Sequence, residues 1–170
     1  MKHIKDYKIF ESHESIESIC KKYDIENWTI NSDGSIDVEG DVNLSNKELT
    51  KIPIKFRNVV GGFYCSSNEL TSLEGCPKSV GSEFYCAFNK LTSLEGCPES
   101  IGGNFNCYDN PVNKIWILFR DISKIELFNY YDPIRDEDNN KPKVVLDRLN
   151  SFLEEIGKPP VKNVEGYETY

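Results

Sequence analysis

The strongest constraint on this chain is a block of 21 residues that it repeats almost unchanged. The block 63–83 and the block 84–104 have identical residues at 14 of their 21 positions. A third copy opens at Phe105 and departs from the pattern after Asn110, and a degenerate copy begins 21 residues before Phe63, at Val42. A fixed period of this length is typical of structural units that stack and bury a shared core.

Each block begins with the pattern of a strand. Phe84 and Cys86 flank Tyr85, and this alternation predicts a short strand with one buried face. An asparagine and two leucines follow, so that the unit reads F-x-C-x-x-N-x-L-x-x-L. This spacing matches the leucine-rich repeat, with Phe and Cys in place of the strand leucines. The degenerate copy has apolar residues at the same phases, namely Val42, Leu44, Leu49 and Ile52.

The asparagine of each block has a predicted structural task. The chain must bend sharply after each strand, which leaves backbone N–H and C=O groups inside the stack. A buried amide side chain can accept from the first kind of group and donate to the second. We therefore expect a ladder of buried amides formed by Asn68, Asn89 and Asn110.

The second half of each block is rich in residues that oppose a long helix. Gly75 and Pro77 recur as Gly96 and Pro98, so this return segment is predicted to be extended or a tight turn. Further glycines are expected at the corner before the next strand: Gly61, Gly81 and Gly102.

The blocks resemble the short repeats of leucine-rich effector proteins that bacterial pathogens secrete, whose pattern is N-x-L-x-x-L-P-x-L-P-x-x-L-x-x-L-x-V. The residues that follow this pattern, with one extra residue before Phe105, are Asn89, Leu91, Leu94, Cys97, Pro98, Ile101, Phe105 and Cys107. The sequence LTSLEGCP followed by FYC or FNC resembles repeat proteins of large tailed bacteriophages still more closely, and this resemblance extends over most of the chain. The resemblance implies a leucine-rich-repeat fold and a viral origin, but no activity.

The segments that flank the blocks are predicted to cap the ends of the stack, where its apolar interior would otherwise be exposed. On the N-terminal side, Ser12 is expected to cap a helix from His13 to Tyr23. A hairpin follows, with strands near Trp28 and Val38 and a bend at Asp33-Gly34.

On the C-terminal side, Pro111 is a favourable first helical residue. Apolar residues at helical spacing follow it, with a break near Asp121. The segment 136–140 reads as a solvated polar loop, because its carboxylates lack the spacing of a calcium loop. A last helix is predicted from Pro142 to Gly157, and the tail 161–170 is expected to be free or lightly docked.

The expected fold is therefore α+β, with residues 1–170 in a single domain. Its parts are an N-terminal helix and hairpin cap (1–40), a short leucine-rich-repeat-like solenoid of about four rungs with parallel strands (41–112), and a C-terminal helical cap with the tail (113–170).

The net charge of −8 is spread along the chain. No segment concentrates lysine or arginine, so a nucleic-acid partner is not expected. No apolar run approaches the length of a membrane span, and the first residues lack the apolar centre of a signal peptide. We expect a soluble protein of the cytoplasm with no membrane partner.

The six cysteines raise the question of a disulfide framework or a metal site. Five of them occupy phases where the repeat needs an apolar residue, and no spacing is C-x-x-C. A free cysteine behaves as a small buried hydrophobe, so we expect these thiols to pack in the core and to bind neither metal nor cofactor. The five residues are Cys65, Cys76, Cys86, Cys97 and Cys107.

The outward positions of the strands are expected to form a shallow concave binding surface, with Gly62 and Ala87 exposed on it. Tyrosines in register on strands about 4.8 Å apart would form an aromatic ridge suited to protein contacts. They could equally serve only to stabilise the sheet. The predicted partner-binding residues are Tyr64, Ser66, Glu83, Tyr85, Phe88, Asn106 and Tyr108.

These features favour a monomeric protein-interaction module without catalysis, encoded by a phage and acting on a host protein, with counter-defence as one such role. The acidic charge would suit a basic protein partner. The chain has no Ser/His/Asp set, phosphate loop or paired-carboxylate signature of an enzyme. The first alternative is a structural or self-associating viral component, which would leave Trp116, Phe119 and Phe128 exposed. An enzyme is the second alternative, and the missing signatures count against it.

Overall fold

The computed structural model describes residues 15–119, 121–135 and 143–170. Within them the architecture is α+β, with sheets built mainly of parallel strands. None of the helices in these ranges has the length and apolar character that a membrane crossing requires. In chain order the elements are α1 (Ile16–Lys22), β1 (Trp28–Ile30), β2 (Ile36–Val38), β3 (Val42–Asn43), β4 (Phe56–Val59), β5 (Phe63–Tyr64), β6 (Ser79–Val80), β7 (Phe84–Tyr85), β8 (Ser100–Ile101), β9 (Phe105–Asn106), α2 (Asn113–Phe119), a 3-10 helix (Ile122–Lys124), α3 (Ile125–Tyr131), β10 (Ile134–Arg135), β11 (Lys143–Val144), α4 (Leu146–Glu155) and β12 (Glu168–Thr169).

The first strand of each block joins a four-stranded parallel sheet in the order β3-β5-β7-β9. Residues one period apart are direct partners, so that Phe63 pairs with Phe84 and Phe84 with Phe105. The rings of these residues stack, with centroids 5.9 and 5.8 Å apart. The predicted alternation is confirmed, because Phe63 and Phe84 are buried whereas Tyr64 and Tyr85 are partly exposed.

The return halves of the blocks form a second sheet, where the sequence predicted only extended chain or a tight turn. β4, β6 and β8 pair in parallel, again one period apart. The predicted hairpin β1–β2 extends this sheet, since β2 pairs with β4. Asp37 of β2 accepts hydrogen bonds from Arg57 Nε at 3.0 Å and from the backbone N–H of Asn58 at 3.1 Å. The rings of Phe56 and Phe63 meet at 5.1 Å, so the core lies between the two sheets.

The amide ladder is confirmed. Asn89 donates through Nδ2 to the carbonyl oxygens of Cys86, in its own block, and Cys65, in the preceding block, at 3.1 and 3.0 Å. Its Oδ1 accepts from the backbone N–H of Leu70 at 2.9 Å. Asn68 and Asn110 repeat this arrangement one block earlier and one block later, and all three side chains are buried. Each amide therefore binds two successive blocks together.

The N-terminal helix begins later than predicted. α1 starts at Ile16, and its N-cap is Ser15, whose Oγ accepts from the backbone N–H of Ser18 at 3.1 Å. The predicted cap, Ser12, and the predicted start, His13, lie outside the described residues. Ser15 precedes the apolar stripe directly, and it satisfies a free N–H group of the first turn.

The C-terminal helices follow the prediction closely. α2 and α3 are separated by the 3-10 helix, which confirms the break near Asp121. Trp116 of α2 packs edge-on against Phe105 with centroids 4.6 Å apart, and so covers the end of the four-stranded sheet. Phe128 is buried against Phe152 of α4, contrary to the exposure that the self-association alternative requires. The side chain of Phe119 lies outside the described part.

The last helix and the tail differ from the prediction. α4 begins at Leu146 because Lys143–Val144 form a strand that pairs with β10 and β12; the loop 136–140 and Pro142 lie outside the described residues. The tail is held more firmly than predicted. The N–H of Tyr170 donates to the carbonyl oxygen of Val144, Val164 is buried, and the hydroxyl of Tyr167 donates to the carbonyl oxygen of Pro111.

Removing one amide of the ladder should destabilise the whole chain. We expect Asn89→Ala to lower the free energy of unfolding by about 1–3 kcal/mol, because the N–H of Leu70 and three carbonyl groups lose a buried partner. Chemical denaturation measures this change. Asn104→Ala is the matched control, since this amide is exposed and its loss should change stability by less than about 0.5 kcal/mol. Equal effects of the two substitutions would contradict the ladder's role.

Candidate functional site

The structure brings the predicted partner-binding residues onto one surface, here called the strand face and consisting of Tyr64, Ser66, Glu83, Tyr85, Phe88, Asn106 and Tyr108. Tyr64, Tyr85 and Asn106 are successive partners across β5, β7 and β9. The rings of Tyr64 and Tyr85 meet edge to face, with centroids 5.5 Å apart. The register that stacks phenylalanines inside the core therefore aligns tyrosines outside it.

A second aromatic pair lies just beyond the strands. Phe88 and Tyr108 are 50% and 59% exposed, and their rings meet edge to face at 5.7 Å. The backbone N–H of Phe88 donates to the carbonyl oxygen of Tyr108 at 2.8 Å, and the Oδ1 of Asn106 accepts from the N–H of Tyr108 at 2.9 Å. These hydrogen bonds fix the backbone at both residues, whose rings extend into solvent. Tyrosine and phenylalanine are enriched in protein interfaces.

Phe88 has a backbone conformation that does not suit its side chain. Its φ is 55°, in the left-handed region, and the residues at the same phase of the other blocks share this conformation: Asn46, Ser67 and Asp109. Asparagine and aspartate adopt it readily, whereas a bulky residue there is an outlier. Strain of this kind accumulates at functional sites. A phenylalanine that is exposed, strained and unnecessary for the turn is therefore a strong candidate anchor for a partner.

Gly62 determines how Tyr64 lies on the strand face. A Cβ atom added to Gly62 would lie 2.3 Å from the hydroxyl oxygen of Tyr64 and 2.7 Å from a ring carbon, so the ring rests on this glycine. Gly62 is consequently buried, and the prediction that it is exposed was wrong. Ala87 was also predicted to be exposed but is buried. Its methyl group is short and lies beside the larger Tyr108, which has the same position in the next block, so it reaches little solvent.

Carboxylates flank the ring of Tyr64. Its hydroxyl donates to Oε2 of Glu83 at 3.2 Å, and the Oγ of Ser82 donates to the same oxygen at 2.5 Å. The hydrogen bond from Ser82 is the main reason why the pKa of Glu83 lies below its ordinary value. Burial and the charge of Glu83 raise the pKa of Tyr64. On the other side, Oδ1 of Asp41 accepts from the N–H of Gly62 at 2.7 Å.

The sequence prediction placed Gly62 on the concave surface but named none of Asp41, Gly62 and Ser82 as a partner-binding residue. A signal for them was present, because the residue before each strand is Asp41, Gly62, Glu83 or Asn104. Gly62 is the one residue of these four without a side chain, so it leaves an open space between its neighbours. Only the structure shows that the neighbouring tyrosine side chain fills the gap.

The cysteine thiols occupy the core, as predicted. Cys65, Cys76, Cys86 and Cys107 are buried, Cys97 is partly exposed, and none of the described cysteines forms a disulfide. Burial raises the pKa of Cys76, Cys86 and Cys97 well above the ordinary value and that of Cys107 to about 12. Because the thiolate is the reactive form, these groups are poor nucleophiles. Within the described ranges, no three His, Cys, Asp or Glu side chains form a group that could hold a metal ion.

A cavity of about 570 Å³ lies between the return segments and the C-terminal helices. Its lining includes Glu74, Cys97, Pro98, Ile125 and Asn129. The thiol of Cys97 stays protonated for the reason given above. The cavity therefore offers shape and mixed polarity without an activated nucleophile.

Comparison of the chain with protein-family models, curated proteins and solved structures gives no match. An interpretation of the strand face therefore rests on its own geometry.

The burial of the thiols predicts low reactivity in the native protein. During brief treatment with iodoacetamide at neutral pH, the folded chain should gain at most one adduct, at Cys97, because the other thiols are buried. The unfolded chain should gain six. Intact-mass measurement distinguishes these results, and rapid modification of Cys65 or Cys86 in the native state would contradict the described core.

The strain at Phe88 predicts a difference between two substitutions that both remove its ring. We expect Phe88→Asn to be more stable than Phe88→Ala by about 1 kcal/mol, because asparagine tolerates the left-handed conformation better than alanine. Chemical denaturation of both variants measures the difference. The same pair of substitutions at Tyr108, whose φ is not positive, should show no such preference for asparagine.

Proposed function

We propose that this chain is a non-catalytic protein-interaction module that binds a partner protein through the strand face. The observation that carries the proposal is a pair of aromatic contacts on the surface, one between the partly exposed Tyr64 and Tyr85 and one between the exposed Phe88 and Tyr108. Aromatic side chains at the centre of an interface supply much of the binding energy. The strain at Phe88 supports binding over a purely structural role for this residue, since a sheet gains nothing from a strained exposed ring.

The repeat region fits a short leucine-rich-repeat-like solenoid. The 21-residue register of both sheets and the amide ladder between blocks support this assignment. In solenoids, the surface formed by the strands is the usual binding surface. The helix and hairpin before the blocks and the helices after them then serve as caps.

The resemblance of the repeat sequence to repeat proteins of phages supports an origin in a bacteriophage. The partner is then a protein of the bacterial host, reached in its cytoplasm, and counter-defence is one role that such binding serves. The net charge of −8 favours a basic partner protein, because complementary charge accelerates and orients association.

A second candidate is a structural or self-associating viral component. Ile117 of α2 and Tyr130 of α3 favour it, because both are exposed on the C-terminal helices, where a further copy could dock. Mass measurement in solution separates the two candidates. A monomer at micromolar concentration is the expected result, and a concentration-dependent oligomer that Ile117→Asp disrupts would favour the second candidate.

Combined substitution of the aromatic residues tests the binding surface. We expect Tyr64→Ala, Tyr85→Ala and Phe88→Ala together to abolish capture of the host partner from infected cells, because the interface loses its anchors. Quantitative mass spectrometry of the captured proteins, followed by calorimetry with the purified partner, measures the loss.

The matched control removes three exposed apolar side chains elsewhere, through Ile30→Ala, Val60→Ala and Tyr130→Ala. This variant should keep the partner. Undiminished binding by the strand-face variant, with its circular dichroism spectrum unchanged, would refute the site.

A further inference from the structure

The strand face presents an aromatic ring between two carboxylates. The ring of Tyr64 rests on Gly62. Asp41 and Glu83 occupy the position of Gly62 in the preceding and the following block, next to the neighbouring strands. Strands two positions apart in a sheet are separated by about 10 Å. A group that lies on the Tyr64 ring is therefore within reach of both carboxylates. Their side chains are fixed, since Asp41 accepts from the N–H of Gly62 and Glu83 accepts from Ser82 and Tyr64.

Several carboxylates near the blocks form ion pairs with lysine or arginine, but within the described part of the chain these two do not. In the sheet of return segments, Asp37 pairs with Arg57 and Glu99 with Lys78, and just after the ladder asparagines Glu69 pairs with Lys90. Among the described residues, no lysine or arginine forms an ion pair with Asp41 or Glu83. The sequence explains this difference, because the segments 41–45, 62–66, 83–87 and 104–108 contain no basic residue. The strand face therefore carries negative charge that the fold leaves uncompensated.

We propose that this end of the strand face binds an arginine side chain of the partner protein, with the guanidinium over the Tyr64 ring and between Asp41 and Glu83. The inference rests on the proposed function and specifies the chemistry of the partner. A cation over a tyrosine ring is attracted by the electrons of the ring face. A planar guanidinium also stacks on the ring while its N–H groups point outward to the carboxylates, which a lysine ammonium does less well.

The remaining strand-face residues complete the description of the partner segment. The rings of Tyr85 and Tyr64 meet edge to face with centroids 5.5 Å apart, so Tyr85 borders one side of the arginine site. Phe88 and Tyr108 lie further along the strand direction and offer an apolar contact. The expected recognition element is therefore an arginine with an apolar residue nearby in the partner, on a surface of net positive charge.

Nuclear magnetic resonance titration of the full chain tests the site with a defined probe. The probe is Nα-acetyl-arginine methylamide, and its neutral isostere, the citrulline analogue, is the reference. We expect saturable shifts at Gly62, Tyr64 and Glu83 with arginine, and binding of the citrulline analogue weaker by about tenfold. Shifts spread evenly over all acidic surfaces, or equal binding of the two probes, would overturn the proposal.

Three substitutions and one control separate the contributions of charge and ring. Glu83→Gln should weaken arginine binding by about threefold, whereas Glu74→Gln, the same charge change at an exposed position on a return segment, should leave it unchanged. Gly62→Ala should displace the Tyr64 ring and weaken binding although both carboxylates remain. Tyr64→Leu should have the same effect without changing the glycine. Arginine binding that survives both Gly62→Ala and Tyr64→Leu would reduce the site to a simple acidic surface and refute it.

The outcome can be distinguished from that of the proposed function. If a captured partner requires Phe88 and Tyr85 but arginine causes no selective shifts, the arginine site is contradicted and the proposed function is not. If the chain binds arginine selectively but its strand face captures no partner, the proposed function is contradicted and the arginine site is supported.

Discussion

The buried amides of Asn68, Asn89 and Asn110 connect each block of 21 residues to the one before it. Each amide donates to carbonyl oxygens in two successive blocks and accepts from an N–H group in the earlier one. A sharp bend after a two-residue strand would otherwise leave these backbone groups unpaired in the core. The period of the sequence is therefore also the period of its hydrogen bonds.

This constraint separates the residues that the fold needs from those that it leaves free. Inward positions repeat phenylalanine, cysteine and leucine, because those side chains fill the space between the two sheets. Outward positions of the same strands vary from block to block, since solvent tolerates many side chains. The strand face arises at these variable positions. Phe88 is the clearest example, because the turn at its phase is occupied by asparagine, serine or aspartate in the other blocks.

The ends of the repeat region are covered by elements that do not share its period. The hairpin β1–β2 continues the sheet of return segments, and Trp116 of α2 covers Phe105 at the opposite end. The tail adds β12 beside β11, so the last residues of the chain take part in the C-terminal sheet. The aromatic residues of the strand face thus lie between these two ends.

The sequence alone determined the period, the strand alternation, the amide ladder, the cysteine positions and the aromatic row, because each depends on residues that are close in the chain and recur at fixed spacing. Only the tertiary structure decided how the return segments pair, where the tail docks and how Tyr64 lies over Gly62 toward Glu83. The return strands β6 and β8 have two residues each and no alternation of apolar and polar side chains that would predict a strand. The position of the Tyr64 ring depends on the absence of a side chain at Gly62 and on the carboxylate of Glu83 beside the next strand. It can therefore be known only once the two strands are seen side by side.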